Sequence, residues 1–355
     1  MDRKRSHFED VRLFDTLPHA LAVLAVGLAL AALPFFVGNY HLYVVGYVAL
    51  NVIVALGLNV LVGYTGQVSL GHAGFFAIGA YATVMLMGKL GLPLLLALPA
   101  AALIAALFGF LLGLPALRLE GPYLAIVTLG FGLAVETVLA KTAFFGGATG
   151  PSVPAFPLRF LEGFSREQNL YVLIVLLAGL SLFAVRNLMK TRVGRAFVAI
   201  RDSDVAAACA GVDVALYKTL AFAVSAFFTG LAGGLFAFHL GQVDPTTFNL
   251  MLSILFLAMV VIGGVASILG SVMGAAAISL LTLKLKGLKL ADFEAIPGIG
   301  KAMAGFLKAH FMETGMANIQ YIVYGLILVL IMTFEPLGLY GYWIRTKRYW
   351  KAWPF

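Results

Sequence analysis

Tyr43-Val44-Val45-Gly46-Tyr47-Val48-Ala49-Leu50-Asn51-Val52-Ile53-Val54-Ala55-Leu56-Gly57-Leu58-Asn59-Val60-Leu61-Val62-Gly63 contains no charged side chain and no proline. At about 1.5 Å of rise per helical residue it spans the roughly 30 Å of hydrocarbon in a bilayer. It lies inside a longer stretch, 16–88, that is free of Asp, Glu, Lys and Arg. Similar stretches follow at 90–117, 121–135, 168–185, 219–243, 245–283 and 314–334. Over all 355 residues 62% are hydrophobic and 11% charged, against about 45–50% and about 25% in soluble chains. Those figures exclude a soluble enzyme, a disordered chain and a secreted disulfide scaffold. Backbone groups in lipid must be satisfied within their own segment or barrel, and runs this long and continuously apolar mean helices.

Turn signals divide the runs. Pro34 to His41, Gly63-Tyr64-Thr65-Gly66 and Val261-Ile262-Gly263-Gly264 through Gly270 separate ten expected helices: 19–37, 43–63, 67–88, 92–114, 121–140, 170–188, 217–240, 248–265, 268–287 and 317–337. The expected fold is all-α, a polytopic transmembrane bundle of about ten helices. Residues 1–18 form an N-terminal segment and 19–337 the membrane domain, with soluble pieces at 141–169 and 189–216 and an interfacial tail at 338–355. The first helix is read as an uncleaved span, because its polar lead is long and many apolar segments follow. With the N-terminus inside, fifteen of the 24 Lys and Arg residues fall on the inner side and nine on the outer, so both termini are expected to be cytoplasmic. The lysines of 284–308 run against this count. They would move inward if 268–287 re-entered the membrane rather than crossing it. Two Gly-rich stretches, 63–69 and 263–267, suggest that helices 2–5 and 7–10 form an inverted repeat, as transporter halves often do.

Several chemistries find no residues to carry them. The single cysteine, Cys209, excludes an internal disulfide and a Cys-rich metal site. Gly298-Ile299-Gly300-Lys301-Ala302 lacks the hydroxyl and the spacing of a phosphate-cradling loop. No histidine pair has metal-ligand spacing and no Gly-x-Ser-x-Gly elbow occurs. The net charge of +8 follows from cations on the inner side and calls for no nucleic acid. In the tail, Trp343, Tyr349, Trp350 and Trp353 interleave with Arg345, Lys347, Arg348 and Lys351, the pattern of an anchor at the membrane surface.

Three places hold the informative polar residues. The inner segment from Thr191 to Asp213 includes a short Ala-rich helix at 204–210, with Asp202 or Ser203 as N-cap and Gly211 just past its end. Two turns of helix do not persist alone in water, and small side chains permit close approach, so this helix is read as a docking element. The bland alternative is an ordinary surface loop. The run 57–81 carries Asn59, Thr65, Gln67, Ser69 and His72 among Gly71, Gly74 and Gly79. Polar groups at membrane depth face a bundle interior or a watery cavity, so interhelical glue and the lining of a translocation path both fit. Glu136 is a carboxylate inside an expected span. An unpaired central charge costs about 2.5–3.5 kcal/mol on insertion scales, so a local pair with Lys141 is expected.

The stretches Gly63-Tyr64-Thr65-Gly66-Gln67-Val68-Ser69-Leu70-Gly71-His72-Ala73, Gly121-Pro122-Tyr123-Leu124-Ala125-Ile126-Val127-Thr128-Leu129, and Gly194-Arg195-Ala196 with Ala199-Ile200-Arg201-Asp202, Ala207 and Gly211 resemble bacterial branched-chain amino-acid permeases of the LivM type. The ending Glu335-Pro336-Leu337-Gly338-Leu339-Tyr340-Gly341 resembles them too. The resemblance implies a multi-pass inner-membrane permease subunit of an ABC importer for branched-chain amino acids. It also implies a sister permease, two cytoplasmic cassette ATPases that bind the ATP, and a periplasmic binding protein; this chain would have no cofactor and no catalytic residue. Gly194, Arg195, Ala199, Arg201, Asp202, Asp204, Ala207 and Gly211 would form the coupling segment against an ATPase. Asn59, Thr65, Gln67, Ser69, His72, Thr128 and Glu136 would be its path residues. The Glu-Ala-Ala then Gly pattern of older importers is not literal here: Asp204 precedes Ala206-Ala207 and Gly211. Urea and short-amide permeases share the Ser-Leu-Gly-His core, and a self-sufficient secondary transporter or a structural scaffold are the rivals from other classes.

Overall fold

A computed structural model describes residues 17–117, 119, 121–158, 163–287, 317–335 and 337–352. The segment 1–16, most of the lysine-bearing stretch 284–308, Arg159, Pro336 and Trp353 lie outside the described residues. The chain is built from α1 (Leu17–Phe36), α2 (Asn39–Asn59), α3 (His72–Leu90), α4 (Leu94–Ala116), α5 (Pro122–Lys141), α6 (Arg166–Lys190), α7 (Arg192–Asp202), α8 (Asp204–Cys209), α9 (Val214–Leu240), α10 (Leu250–Gly263), α11 (Ile268–Gly287), α12 (Ala317–Phe334) and α13 (Gly338–Ala352). Among the described residues seven helices are long and apolar enough to cross a membrane, and Ala25–Phe36, Leu250–Gly263 and Ile322–Ile331 are shorter apolar helices. The expected all-α polytopic bundle is what folds.

Two helices make the centre. Of the most apolar parts of α2 with its extension to Tyr64 and of α9, 72% is buried, against 17% of α5 and 22% of α6. Small residues allow α9 to take three neighbours at once. A Cβ on Gly79 of α3 would stand 2.0 Å from the Gly230 carbonyl oxygen, one on Gly109 of α4 would stand 2.5 Å from the Ala226 Cβ, and one on Gly57 of α2 would stand 2.8 Å from the Phe228 Cβ. Contacts of this kind substitute for a hydrophobic driving force, which lipid does not provide between helices.

The structure corrects the expected elements in five places. The helix expected at 67–88 begins at His72, because residues 66–71 leave helical conformation. The freed backbone donors find side chains: Leu70 N–H donates to Thr128 Oγ1 at 3.0 Å and Gly71 N–H to Ser69 Oγ at 3.4 Å. Irregular backbone at membrane depth is tolerated where it is buried in protein and its donors are served. The helix before it does not end cleanly at Gly63 but widens into a π turn over Val60–Tyr64. The helix expected at 248–265 is α10, only 14 residues long, about 21 Å and so short of the membrane thickness. The segment 189–216, expected to be helical only at 204–210, also holds the amphipathic α7, which buries Gly194, Ala196, Phe197 and Ile200. Finally, Glu136 and Lys141 form no ion pair: five positions apart on a helix they point in directions about 140° apart, and Lys141 is exposed.

Residues 338–352 of the tail form the helix α13. Glu335, 7% exposed, receives both Arg345 hydrogen bonds, at 2.8 and 3.1 Å. Gly338 seats α13 against the end of α10, where an added Cβ would stand 2.6 Å from the Ile262 carbonyl oxygen. Tyr342, Trp343 and Tyr349 remain exposed, as an interfacial face requires.

Candidate coupling and translocation site

Thr191 turns the chain from α6 into α7. Its hydroxyl donates to the Leu188 carbonyl at 2.7 Å and accepts from Gly194 N–H at 3.5 Å. Gly194 is buried so tightly that a Cβ would stand 2.4 Å from Met189 Cα. Arg195, exposed, donates to the Lys190 carbonyl at 3.2 Å. Ala199 is half-buried, and Phe197 packs edge-on against Tyr217 of α9 with centroids 6.3 Å apart. Ser203 then caps α8, its hydroxyl accepting from Ala206 N–H at 3.2 Å, so the cap is the second of the two expected residues. Gly211 follows α8 with φ +81, a backbone that only glycine adopts freely. Asp204 pairs with Lys218 of α9.

The outward face of α8 is not the one centred on Ala207. Ala207 is 3% exposed and turned into the chain, whereas Val205 is 74% exposed. Ala206, Ala208 and Cys209 are exposed with it. The small side chain at 207 lets α8 lie flat on its own subunit, and the face available to a partner is set by Val205, Ala206, Ala208 and Cys209.

Arg201 joins this segment to the irregular stretch after α2. Its guanidinium pairs with Asp202 at 3.0 Å and donates to the Gly63 carbonyl at 3.4 Å. Its Cγ lies 3.3 Å from where a Cβ of Gly66 would stand, and Gly66 has φ +72. On the other side of the same stretch, Asn59 holds the loop between α10 and α11. Ala266 N–H donates to Asn59 Oδ1 at 2.9 Å, and Asn59 Nδ2 donates to the Ser267 carbonyl at 3.0 Å and Ser271 Oγ at 2.8 Å. The two Gly-rich stretches singled out in the sequence therefore lie against one another.

Residues 69–73 are fixed to three helices. Ser69 Oγ lies 3.0 Å from His72 Nδ1, and His72 Nε2 lies 2.7 Å from Ser225 Oγ of α9. Ala73 N–H donates to Ser253 Oγ of α10 at 2.9 Å. Thr128 of α5 accepts from Leu70 and donates to the Ala125 carbonyl at 2.9 Å. Thr65 Oγ1 donates to the Leu61 carbonyl at 2.5 Å and accepts from Gln67 Nε2 at 3.2 Å. Gln67 Oε1 is buried without a partner among the described residues.

Asn59, Thr65, Gln67, Ser69, His72 and Thr128 are thus gathered into one buried region, while Glu136 stands apart, half-buried on α5. Within a single chain Asn59 ties α2 to the α10–α11 loop and α11, His72 ties α3 to α9, and Thr128 ties α5 to the stretch before α3, while Thr65, Gln67 and Ser69 bond locally. Sequence reasoning missed their partners Ser225, Ser253, Ser267 and Ser271. Hydroxyls in otherwise apolar helices were the available signal, and they can satisfy themselves on the i−4 carbonyl, so each alone says little. Among the described residues no three His, Cys, Asp or Glu side chains gather as metal ligands would.

The family described as "Branched-chain amino acid transport system / permease component" matches residues 40–332. The high-affinity branched-chain amino acid transport system permease protein LivM of Salmonella typhimurium is 40% identical over 217 residues, 54% of this chain and 51% of that protein. LivM of Escherichia coli shows the same identity over the same shares. The probable branched-chain amino acid transport permease protein LivH of Methanocaldococcus jannaschii is 25% identical over 284 residues, 76% of this chain and 82% of that protein. The chain spans about half the length of the LivM relatives it matches. No solved structure matches. A match over most of the chain, on a bundle of apolar helices, makes this a multi-pass membrane protein that belongs to the branched-chain amino acid transport permease family.

Proposed function

We propose that this chain is the membrane-spanning permease subunit of an ABC importer for branched-chain amino acids, working by alternating access and without chemistry of its own. Two cytoplasmic ATPases hydrolyse ATP, and a sister permease and a periplasmic binding protein complete the importer. The segment α7–α8 lies on the cytoplasmic side with both termini, the orientation favoured by the count of Lys and Arg. Closure of the ATPases pushes on α8 through Val205, Ala206, Ala208 and Cys209. Arg201 carries the displacement to Gly63 and Gly66, and Asn59 carries it on to the α10–α11 loop. The path runs between the two permeases, with α5, the least buried long helix, at its wall.

The single observation behind this reading is the Arg201–Gly63 contact. It links the solvent-facing insertion directly to the π turn that ends α2, just before the non-helical stretch 66–71, where a small push can move several helices at once. Cys209, the one cysteine, is exposed on α8 and serves as the probe. A membrane-impermeant maleimide should label Cys209 in inside-out but not right-side-out membrane vesicles, and assembly with the ATPases should protect it. Labelling from the outside would end the orientation, and labelling unaffected by the ATPases would end the docking. In proteoliposomes holding all subunits, leucine uptake should require ATP. Uptake of urea with leucine ignored would assign the cargo to the short amides instead.

A further inference from the structure

A cavity of about 110 Å³ lies between α2, α6 and α9, at the end of the bundle opposite α7 and α8. It combines an apolar wall with two charges. Leu170 and Ile174 form part of the wall, and Arg166 and Glu167 stand at its rim, exposed. His239 also lines it, 9% exposed, and its Nε2 is buried with no hydrogen-bond partner among the described residues. The plane of the imidazole is held by its stack on Tyr43, with centroids 4.1 Å apart and planes 16° apart. Arg166 Nη2 donates to the Phe238 carbonyl at 3.2 Å, which sets the guanidinium beside the peptide that precedes His239. Buried polar atoms are partnered in the great majority of cases, so the orphaned imidazole nitrogen calls for a polar partner, an acceptor in its Nε2–H tautomer.

We propose that this cavity is a subsite for a small aliphatic amino acid, its carboxylate held by Arg166 and His239 Nε2, its ammonium facing Glu167, and its branched side chain against Leu170 and Ile174. At about 110 Å³ the cavity is smaller than the roughly 150 Å³ that takes benzene, so it admits the branch of three or four carbons while the polar head stays at the rim beside the exposed Arg166 and Glu167. The guanidinium suits the carboxylate because its planar donors match the two oxygens. The inference rests on the transport reading for its cargo and assigns that cargo a place to rest at the outer end of the subunit.

The test uses the full chain in lipid nanodiscs, titrated by saturation-transfer NMR with L-leucine, 4-methylpentanoate (no ammonium) and isopentylamine (no carboxylate). Leucine should bind saturably and 4-methylpentanoate should compete with it, while isopentylamine should not. Arg166→Gln should weaken leucine binding about tenfold. His239→Phe keeps the ring stack and removes only the nitrogen, so it should weaken binding without lowering the melting temperature. Absence of saturable binding, binding unchanged in both variants, or competition by isopentylamine alone would each overturn the subsite. If those variants still import leucine at the full rate within the complete importer, the subsite fails and the transport reading stands. If the complete importer ignores branched-chain amino acids while 4-methylpentanoate binds in an Arg166-dependent way, the transport reading fails and a carboxylate site remains.

Discussion

Asn59, at the end of α2, takes the Ala266 N–H at 2.9 Å on its side-chain oxygen, across 207 positions of sequence. Ala266 is the one non-glycine residue with positive φ, at +60, among the described residues. A left-handed alanine costs roughly 1–2 kcal/mol, and it persists because Asn59 and its bonds to Ser267 and Ser271 over-determine the loop. One amide therefore fixes the shape of the α10–α11 loop and its distance from the end of α2.

Asn59→Leu removes all three bonds and leaves the part-buried Ala266 N–H unpaired. The expected loss is about 1–3 kcal/mol, read as a lower melting temperature in detergent, with leucine uptake by the complete importer falling alongside. Asn59→Asp keeps the acceptor for Ala266 but buries a carboxylate against the Ser267 carbonyl, so it should destabilise at least as much. A melting temperature unchanged in Asn59→Leu would remove the clasp from the account.

Gly79 and Gly230 bring α3 and α9 together with no room for a side chain. Gly79→Leu forces the helices apart at an expected cost on the order of 1–3 kcal/mol or more, visible as poor yield of monodisperse protein. Gly88, which has nothing within 4 Å of an added Cβ, is the control, and Gly88→Leu should purify normally.

Val205 and Ala207 separate docking from folding. Val205→Glu puts a charge on the exposed face of α8 and should abolish ATP-driven uptake without changing the melting temperature. Ala207→Glu buries a carboxylate against the chain itself, which costs several kcal/mol, so it should unfold the region as well. Equal effects of the two on stability would refute the assigned faces.

Glu136 has no ion pair among the described residues and stands half-buried on α5. An importer driven by ATP needs no proton carrier at that position, so Glu136→Gln should retain uptake within about twofold. Loss of uptake in Glu136→Gln, with the ATPases dispensable, would instead favour a secondary transporter.

The helices were legible in the sequence because a span must be uncharged over its whole length, and the absence of charge is visible one residue at a time. Asn59, Ser69, His72 and Gly71 were legible as a constellation for the same reason: polar and tiny residues are rare in such runs. Their partners were not. Asn59 meets Ser271 and His72 meets Ser225 across 212 and 153 positions, and nothing local distinguishes those serines from ones that bond their own helix. The start of α3 was missed because Gln67 to Leu70 holds no charge, proline or glycine to stop a helix, and only Thr128 of α5 shows where the Leu70 N–H goes. The insertion was misjudged at α7, whose four buried residues need the bundle beside them to look like a face, and at Ala207, where small size signalled close approach but not its direction.

Arg201 decides the central claim, that motion enters through α7–α8 and passes to the stretch after α2. Leucine uptake and ATP hydrolysis should be measured together on the complete importer in proteoliposomes, native and Arg201→Ala. The account predicts that hydrolysis continues while leucine moved per ATP falls about tenfold, within the 1–3 kcal/mol typical of coupling between sites. An unchanged ratio of leucine to ATP in Arg201→Ala would contradict it.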